Sequence, residues 1–470
     1  MDEGGIIAAY QLVAAGRDEF VFCHVTWISR AGCFRPDSSE PARTFKKECT
    51  IRFGSAPMSW MSVERSPEIA VVGGGAAGFF AAIACAGTSS ARVTIYEAGR
   101  RPLEKVRISG GGRCNVTHAC FDPARLIEQY PRGARALRGP FSRFGPRDTI
   151  DWFESRGVPL KTEADGRVFP TSDQSGSIID CLRRAATAAG VLLRTSTPIQ
   201  KARATDRGFT LTLKDGEEAR CARLLLAPGG APIGMRIARE LGHTIVDPVP
   251  SLFTFTVPDS RLRGLAGLSV PHARLRLDGS RKTYEGPLLI THTGLSGPAV
   301  LRLSAFAARE LAETKYKATL RIDWLPAVGE EATRAMLMDA KRDRGARQVA
   351  NTPESMPLPR RLWTRMLHSA GVSTDLRWGE LPGAGLHNIV QQLKQGRYPV
   401  TGKSTFKEEF VTCGGVSLKE VDFRTMQSRK VPGLFFAGEV LDIDGVTGGY
   451  NFQNAWTTGL IAGECIAEAP

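Results

Sequence analysis

Long hydrophobic runs are missing from this sequence: no apolar segment reaches the roughly 18 residues that predict a membrane-spanning helix. The ten cysteines are scattered and include no C-x-x-C pair, so neither a disulfide framework nor a structural zinc site is predicted. Acidic residues at Asp2, Glu3, Asp18 and Glu19 argue against a signal or transit peptide. These absences predict a cytoplasmic protein with reduced thiols, no bound metal and no membrane partner.

A concentrated basic patch is also missing, although the net charge is +14. An excess of this size suits either an acidic partner such as nucleic acid or a basic mouth for anionic cofactors. The basic residues are spread along the chain, with only short clusters at residues 341–344 and 360–361. Because nucleic-acid surfaces usually concentrate their charge, a small-molecule substrate is favoured over nucleic acid.

The strongest motif is E-I-A-V-V-G-G-G-A-A-G at residues 68–78. Residues 69–72 form a short apolar run that predicts a strand, and the run leads directly into Gly73, Gly75 and Gly78 at G-x-G-x-x-G spacing. The first glycine allows a tight turn, the second lets the main chain approach a pyrophosphate, and the third lets the next helix lie against the strand. A helix from about residue 76 to 86 then offers its N–H groups to the phosphates.

Glu97 ends a second predicted strand, nineteen residues after Gly78. An acid at about this distance accepts hydrogen bonds from ribose hydroxyls in dinucleotide folds. Strand, turn, helix and acid together predict a dinucleotide site, with a ligand-free glycine turn as the alternative. The sequence contains no second G-x-G-x-x-G, so no separate nicotinamide domain is predicted.

Three consecutive glycines at residues 110–112 follow, with Lys105, Arg107, Arg113 and Asn115 around them. Such a run is costly inside a helix or strand, so we expect a loop that wraps closely around a phosphate-bearing or flavin ligand, with a mobile surface loop as the alternative. Cys114 has no base nearby in sequence, and packing or contact with a flavin edge is a more natural role for it than nucleophilic catalysis.

A second constellation lies more than 300 residues further on, where a short buried strand at residues 434–437 leads into Gly438 and Glu439. An acid at the carboxyl end of a strand suits a ribityl hydroxyl. Gly448 and Gly449 then open a helix over residues 452–467, whose N-terminus suits the electron-rich N1–C2=O end of a reduced flavin. Both constellations predict the same flavin cofactor.

Four motifs together resemble a bacterial flavoprotein family labelled NAD(P)/FAD-dependent oxidoreductases or aminoacetone-oxidase-family FAD-binding enzymes, one branch of which reduces dehydro-bile acids. They are I-S-G-G-G-R-C-N-V-T, T-H-T-G-L-S-G-P-A-V-L, T-C-G-G-V and A-G-E-V-L-D-I-D-G-V-T-G-G-Y-N-F-Q. The resemblance runs from residue 69 to residue 466. It implies an α/β fold: a glutathione-reductase-like FAD-binding Rossmann domain with an inserted small β-barrel and a helical subdomain.

The implied domain order is an FAD-binding domain at residues 67–247, a β-barrel insert at 248–328, a helical insert at 329–398, and the second part of the FAD-binding domain at 399–470. Residues 1–66 precede the first strand, and we expect them to be an over-called translation start or a disordered extension.

The resemblance and the motifs imply a set of FAD-binding residues that comes from both chain ends. They are Gly73, Gly75, Ala76, Ala77, Gly78, Glu97, Ala98, Gly112, Arg113, Cys114, Asn115, Gly229, Gly438, Glu439, Gly449, Tyr450, Asn451, Phe452 and Gln453. One departure from the family pattern is Pro228, which replaces the usual threonine and precedes a shortened loop, so we expect the entrance to the flavin to be reshaped.

These features predict an FAD-dependent oxidoreductase that takes hydride from NAD(P)H as a transient donor and passes it to a small unsaturated or carbonyl-containing acceptor. The alternatives are a flavin amine oxidase of the aminoacetone type, an RNA-modifying flavoprotein, and a non-catalytic FAD-binding protein. No catalytic acid or base is assigned; His292, Cys114 and Tyr450 are candidates by position only.

Overall fold

The computed structural model describes residues 67–354, 356–404 and 411–468, together with two strands closer to the N-terminus, Ile7–Val13 and Phe22–Ile28. These two strands pair antiparallel, with Ile7 opposite Ile28, inside a separate unit that covers Met1–Arg65. We expected residues 1–66 to be an over-called translation start or a disordered extension. Apart from the two strands, these positions lie outside the described residues.

A seven-stranded sheet forms the centre of the second unit, Ser66–Pro470. Five of its strands are parallel, and Val72 pairs with both Tyr96 and Leu226, which in turn pairs with Phe436. The carboxyl ends of these strands therefore share one edge, where open α/β sheets bind ligands. In sheet order the strands are Val421–Asp422, Gln427–Ser428, Leu434–Phe436, Arg223–Leu226, Glu68–Val72, Arg92–Tyr96 and Leu192–Arg194. This sheet confirms the predicted α/β fold with a Rossmann-type domain.

The first and last helices of this unit, Ala76–Thr88 and Tyr450–Glu468, lie against each other. A Cβ atom at Gly463 would stand 2.2 Å from the carbonyl oxygen of Ala81, so the two backbones approach more closely than any larger residue allows. This contact joins the two ends of the unit.

The five strands within residues 192–226 are divided between two sheets. The outer strands, Leu192–Arg194 and Arg223–Leu226, join the parallel sheet, whereas Ile199–Thr205, Gly208–Leu213 and Glu218–Cys221 form a separate antiparallel sheet. Residues 224–226 are all leucine and fully buried, as is typical of a strand covered on both faces. The other helices around the parallel sheet are Glu104–Gly112, Pro123–Leu126, Ala134–Arg143, Pro146–Glu154, Ser175–Ala188 and Pro232–Glu240. A small separate sheet contains Thr117–His118, Leu160–Thr162 and Arg167–Pro170.

A second seven-stranded sheet, entirely antiparallel, is built from residues 255–403. In sheet order its strands are Gly396–Val400, Ala318–Asp323, Ser269–Leu277, Tyr284–Ile290, Gly294–Ser296, Phe255–Thr256 and Gly402–Lys403. The helices of this segment are Pro298–Phe306, Ala308–Glu313, Glu330–Asp343, Arg360–Ser369 and Gly383–Gln395. Leu320 of the strand Ala318–Asp323, Trp363 of the helix Arg360–Ser369 and Ile389 of the helix Gly383–Gln395 belong to one hydrophobic cluster, so strands and helices share a core.

The parallel sheet and the elements around it form the nucleotide-binding half of the unit, and residues 255–403 form the other half. Two strands connect these halves. Ile245–Ser251 carries the chain out of the nucleotide-binding half, and Val411–Val416 returns antiparallel beside it. Across the described ranges, none of the helices combines the length and the apolar character that crossing a membrane requires.

Candidate cofactor site

The glycine turn after the first parallel strand has the backbone geometry that the motif predicts. Gly73 adopts φ +109°, and a Cβ atom there would stand 2.4 Å from the carbonyl oxygen of Ala227 in the neighbouring strand connection. At Gly75 a Cβ atom would meet nothing within 4 Å, because this backbone faces an open cavity. The helix that begins at Ala76 directs its unpaired first N–H groups toward the same space.

Glu97 lies at the tip of the adjacent strand and holds this turn in place. Its Oε2 accepts the N–H of Gly74 at 2.7 Å, and its Oε1 accepts the N–H of Gly99 at 2.6 Å. The carboxylate therefore lines the cavity with both oxygens already oriented by the backbone.

Glu439 occupies the equivalent place after the strand Leu434–Phe436. Its Oε1 accepts the N–H of Thr412 at 2.8 Å, and its Oε2 lies 2.6 Å from Nζ of Lys105. The Glu439 side chain is only 17% exposed. Lys105 comes from the helix before the three glycines, so an ion pair links the two distant constellations.

The backbone loses helical geometry at the three glycines, which end the segment Glu104–Gly112. This is expected because a run of glycines is costly inside a helix. Gly110 and Gly111 adopt φ +58° and +69° and line the cavity. Arg113, at the end of the loop, turns away: its guanidinium lies 3.9 Å from the centre of the Phe169 ring and donates to Glu163 at 2.7 Å.

Asn115 and Gln453 lie behind the cavity wall. The Asn115 side-chain oxygen accepts the N–H of Gly449 at 3.0 Å, while its nitrogen donates to the carbonyl of Thr117. Gln453 is fully buried and accepts the hydroxyl protons of Thr117 and Thr149 at 2.5 and 3.0 Å. Both amides fix the start of the last helix against the strand Thr117–His118.

The cavity at this sheet edge has a volume of about 670 Å³, within the range of ligand sites. The predicted residues that line it are Gly73, Gly75, Ala76, Ala77, Glu97, Gly229, Gly438, Glu439, Asn451 and Phe452. The predicted residues outside its lining are Gly78, Ala98, Gly112, Arg113, Cys114, Asn115, Gly449, Tyr450 and Gln453. Lining residues that the predicted set did not include are, among others, Gly74, Arg101, Lys105, Leu252, Leu301, Val411 and Asn454.

These residues fit FAD by their own chemistry. The side-chain oxygen of Asn454 is buried beside the cavity and has no hydrogen-bond partner among the described residues. This is expected where a bound ligand donates a hydrogen bond to it. The open backbone at Gly75 and the helix N-terminus suit a pyrophosphate. The two carboxylates, Glu97 and Glu439, suit the ribose and the ribityl hydroxyls. The apolar side chains of Leu252 and Leu301 suit a ring system.

The three catalytic candidates all lie outside the cavity lining. His292 is exposed in the turn before the strand Gly294–Ser296. Cys114 is fully buried, and burial raises the pKa of its thiol to about 12, so the thiolate is scarce at neutral pH. Burial also raises the pKa of the Tyr450 hydroxyl, and the Tyr450 ring stacks on His118 at 4.9 Å.

Comparisons with known proteins agree with this geometry. The family described as HI0933-like protein Rossmann domain matches residues 67–465. Ribosomal RNA dihydrouridine synthase of Escherichia coli is 32% identical over 399 residues, which cover 83% of this chain and 95% of that protein. A 3-dehydro-bile acid delta(4,6)-reductase of Clostridium scindens is 30% identical over 413 residues, covering 86% and 99%. Ribosomal RNA dihydrouridine synthase of Haemophilus influenzae is 30% identical over 403 residues, covering 83% and 95%. The chain therefore belongs to the HI0933-like family of FAD-binding Rossmann flavoproteins.

Proposed function

We propose that this flavoprotein is a reductase that uses NAD(P)H to saturate a carbon–carbon double bond conjugated to a carbonyl group. The observation that carries the proposal is that Glu97, Glu439, the first turn of the helix Ala76–Thr88, and Asn451 and Phe452 of the last helix all line one cavity. This arrangement would suit one FAD. FAD supplies a two-electron carrier that accepts a hydride from one substrate and donates it to another.

The names of the relatives favour this kind of acceptor. Dihydrouridine is uridine whose ring double bond, conjugated to a carbonyl, has gained two hydrogens, and a delta(4,6)-reductase of a 3-dehydro-bile acid acts on double bonds conjugated to a ketone. In both reactions one carbon of the double bond gains a hydride and the other gains a proton. The donor loses the same two electrons, and the proton comes from solvent.

The side chains around the cavity have distinct tasks in this proposal. Glu97 would orient the ribose of the adenosine half, and the first turn of the helix Ala76–Thr88 would hold the pyrophosphate. Thr412 and Lys105 fix the orientation of Glu439, which would accept hydrogen bonds from the ribityl chain. Apolar side chains at the cavity wall, such as Leu252, exclude water from the reacting atoms.

An anaerobic titration tests the proposal directly. Purified protein with FAD bound is titrated with NADPH and with NADH, and we expect one of them to bleach the flavin band near 450 nm. Addition of an α,β-unsaturated ketone or of a uridine-containing RNA should then restore the band. Bleaching by aminoacetone but by neither nicotinamide nucleotide would contradict the proposal and favour an amine oxidase. A bound flavin that no donor reduces would indicate a non-catalytic FAD-binding protein.

Ribosomal RNA is a second candidate acceptor beside a small molecule, and two observations support it. Residues 1–66 contain eight basic and eight acidic side chains, so the whole net charge of +14 falls on residues 67–470. Two of the similar proteins are named ribosomal RNA dihydrouridine synthases. If RNA is the acceptor, binding of a ribosomal RNA fragment should weaken steeply between 50 and 200 mM salt, following counterion release. Binding that does not depend on salt would contradict this candidate.

A further inference from the structure

A second cleft, with a volume of about 390 Å³, lies beside the FAD cavity. One wall is the helix Pro232–Glu240, which contributes Met235, Arg236 and Arg239. The opposite wall is the strand pair that connects the two halves of the unit, Ile245–Ser251 and Val411–Val416. The cleft therefore has one wall on a helix of the nucleotide-binding half and the other on the connecting strands.

Two arginines one helical turn apart give this cleft a positive rim. Arg236 and Arg239 are both exposed, and neither forms an ion pair within the described part of the chain. The Arg236 guanidinium donates one hydrogen bond, to the carbonyl of Gln200 at 3.1 Å, and its other donors stay available. None of the cleft-lining residues that the structure describes is acidic. Paired guanidinium groups without carboxylate partners are suited to bind phosphate.

The rest of the lining is apolar and suits a flat ring. Met235, Ile245, Val249, Pro250 and Val411 form this surface. An apolar wall with a few charged donors at its rim is the usual composition of a small-ligand site. A base attached to phosphate, as in an adenosine phosphate, matches both parts of the lining.

Only one thickness of backbone separates the cleft from the FAD cavity. Gly229 lines the cavity, Gly230 lines the cleft, and Val411 lines both. A Cβ atom at Gly230 would stand 2.5 Å from the hydroxyl oxygen of Thr412 and 3.1 Å from Oε1 of Glu439. A dinucleotide held by its adenosine end in the cleft can therefore extend past Gly229 toward the flavin.

From this juxtaposition we infer that the cleft binds the adenosine phosphate half of the nicotinamide donor, with Arg236 and Arg239 contacting its phosphate groups. This inference rests on the proposed function, because only a reductase that uses NAD(P)H needs a donor site. The sequence contains no second G-x-G-x-x-G motif that would provide such a site, and the cleft would take its place. The donor binds in the orientation that leaves its nicotinamide end free to enter the FAD cavity.

The test uses FAD-loaded protein and the single variants Arg236→Gln and Arg239→Gln. Arg183→Gln is the matched control, since Arg183 is exposed on the helix Ser175–Ala188, which lines neither cavity. Calorimetric titration with ADP and with adenosine 2′,5′-bisphosphate measures binding without turnover. We expect each cleft variant to weaken binding of at least one nucleotide by about tenfold and the control to leave it unchanged. In anaerobic stopped-flow reduction, the apparent Kd for NAD(P)H should rise by a similar factor while the limiting rate stays constant.

Each contrary result has its own meaning. Full FAD content with an unchanged Kd for nucleotide and donor in both cleft variants overturns the assignment of the cleft alone. Weaker binding of a ribosomal RNA fragment with unchanged donor binding also overturns it and assigns the cleft to the acceptor. Wild-type protein that neither NADPH nor NADH reduces contradicts the proposed function, and the cleft assignment with it, before any variant is made.

Discussion

The ammonium group of Lys105 lies 2.6 Å from a carboxylate oxygen of Glu439, although 334 residues separate them in the chain. The pair connects the helix before the three glycines to the tip of the strand Leu434–Phe436. The second oxygen of Glu439 accepts the N–H of Thr412. One carboxylate is thus fixed from two sides at the point where the two ends of the nucleotide-binding half meet.

Replacing this carboxylate by an amide should weaken the site. In Glu439→Gln, one of the two fixed acceptors is lost and Lys105 has no anionic partner at this position, so we expect FAD affinity to fall about tenfold. Fluorescence titration of apoprotein with FAD measures the change. Glu128→Gln, an exposed acid on the surface, is the control and should bind FAD like the wild type. Equal affinity in both variants would remove Glu439 from the cofactor site.

Gly75 offers a sharper test of where the pyrophosphate lies. A Cβ atom at Gly75 would meet nothing within 4 Å, so Gly75→Ala should fold normally but fill the space that the phosphates need. We expect at least about tenfold weaker FAD binding with little change in Tm. Gly87→Ala is the matched control, because it lies near the other end of the same helix and also faces open space. Loss of FAD in both variants would indicate a general effect on the helix.

Cys114 should prove dispensable for chemistry. Burial raises the pKa of its thiol to about 12, which leaves almost no thiolate nucleophile at neutral pH. Cys114→Ala is therefore expected to keep bound FAD and a rate of reduction by NAD(P)H close to that of the wild type. Stopped-flow reduction of the two proteins makes the comparison. A rate that falls by orders of magnitude while FAD stays bound would assign the thiol a direct role.

Removing one partner of the buried ion pair between Arg132 and Asp444 should destabilise the fold strongly, although burial raises the pKa of the Asp444 carboxyl. The Asp444 side chain is fully buried and accepts from Nε of Arg132 at 2.5 Å and from the Ser251 hydroxyl at 2.6 Å. Asp444→Asn leaves the guanidinium without its counter-charge, and we expect the free energy of unfolding to fall by about 3–5 kcal/mol. Urea unfolding measures this loss.

The control for this pair is Asp442→Asn, whose contact with the partly exposed Arg309 is 3.4 Å long. The expected loss there is at most about 1 kcal/mol. Similar losses in the two variants would contradict the special weight given to the buried pair.

Glu420 should make stability depend on acidity. Burial by itself raises the pKa of this carboxyl, but hydrogen bonds from Lys430 and from the backbone of Thr244 outweigh it and lower the pKa from 4.5 to about 2. Since the folded-state pKa lies below the unfolded one, the ionised carboxylate stabilises the fold above about pH 4.5, and this stabilisation is lost as the pH falls toward 2.

The corresponding variant is Glu420→Gln, expected to be less stable than the wild type by about 1–3 kcal/mol at pH 7. The difference should shrink as the pH falls from about 4.5 to 2, as measured by urea unfolding across this range. His243 contacts the same carboxylate at 3.0 Å; burial lowers the pKa of its imidazole and Glu420 raises it, so the variant also lowers the pKa of His243 further. A difference that stays constant with pH would exclude the carboxylate as its source.

The sequence predicts best where the contacts are local. Gly73, Gly75 and the helix after them lie within a few residues, and Glu97 bonds back to Gly74 one strand away. The residues after the strand Leu434–Phe436 are equally compact in sequence. For both segments, the motif spacing was enough to place residues at one sheet edge.

Contacts between segments that are distant in sequence could not be predicted from sequence patterns. Nothing near Lys105 indicates that it meets Glu439, and Asn454 gains its place at the cavity only through the packing of the last helix. Asn115 and Gln453 show the converse. An amide beside a glycine loop has the same sequence pattern whether it faces a ligand or a buried hydrogen-bond network, and these two lie in the network.

The central claim is that the cavity between Glu97 and Glu439 holds one FAD per chain. The most direct measurement is the visible spectrum of purified protein, followed by titration of apoprotein with FAD. We expect a yellow protein that saturates at one FAD per chain, and we expect the affinity for FAD to be reduced in both Gly75→Ala and Glu439→Gln. A colourless protein that takes up no FAD, or variants that both bind FAD as tightly as the wild type, would contradict this claim.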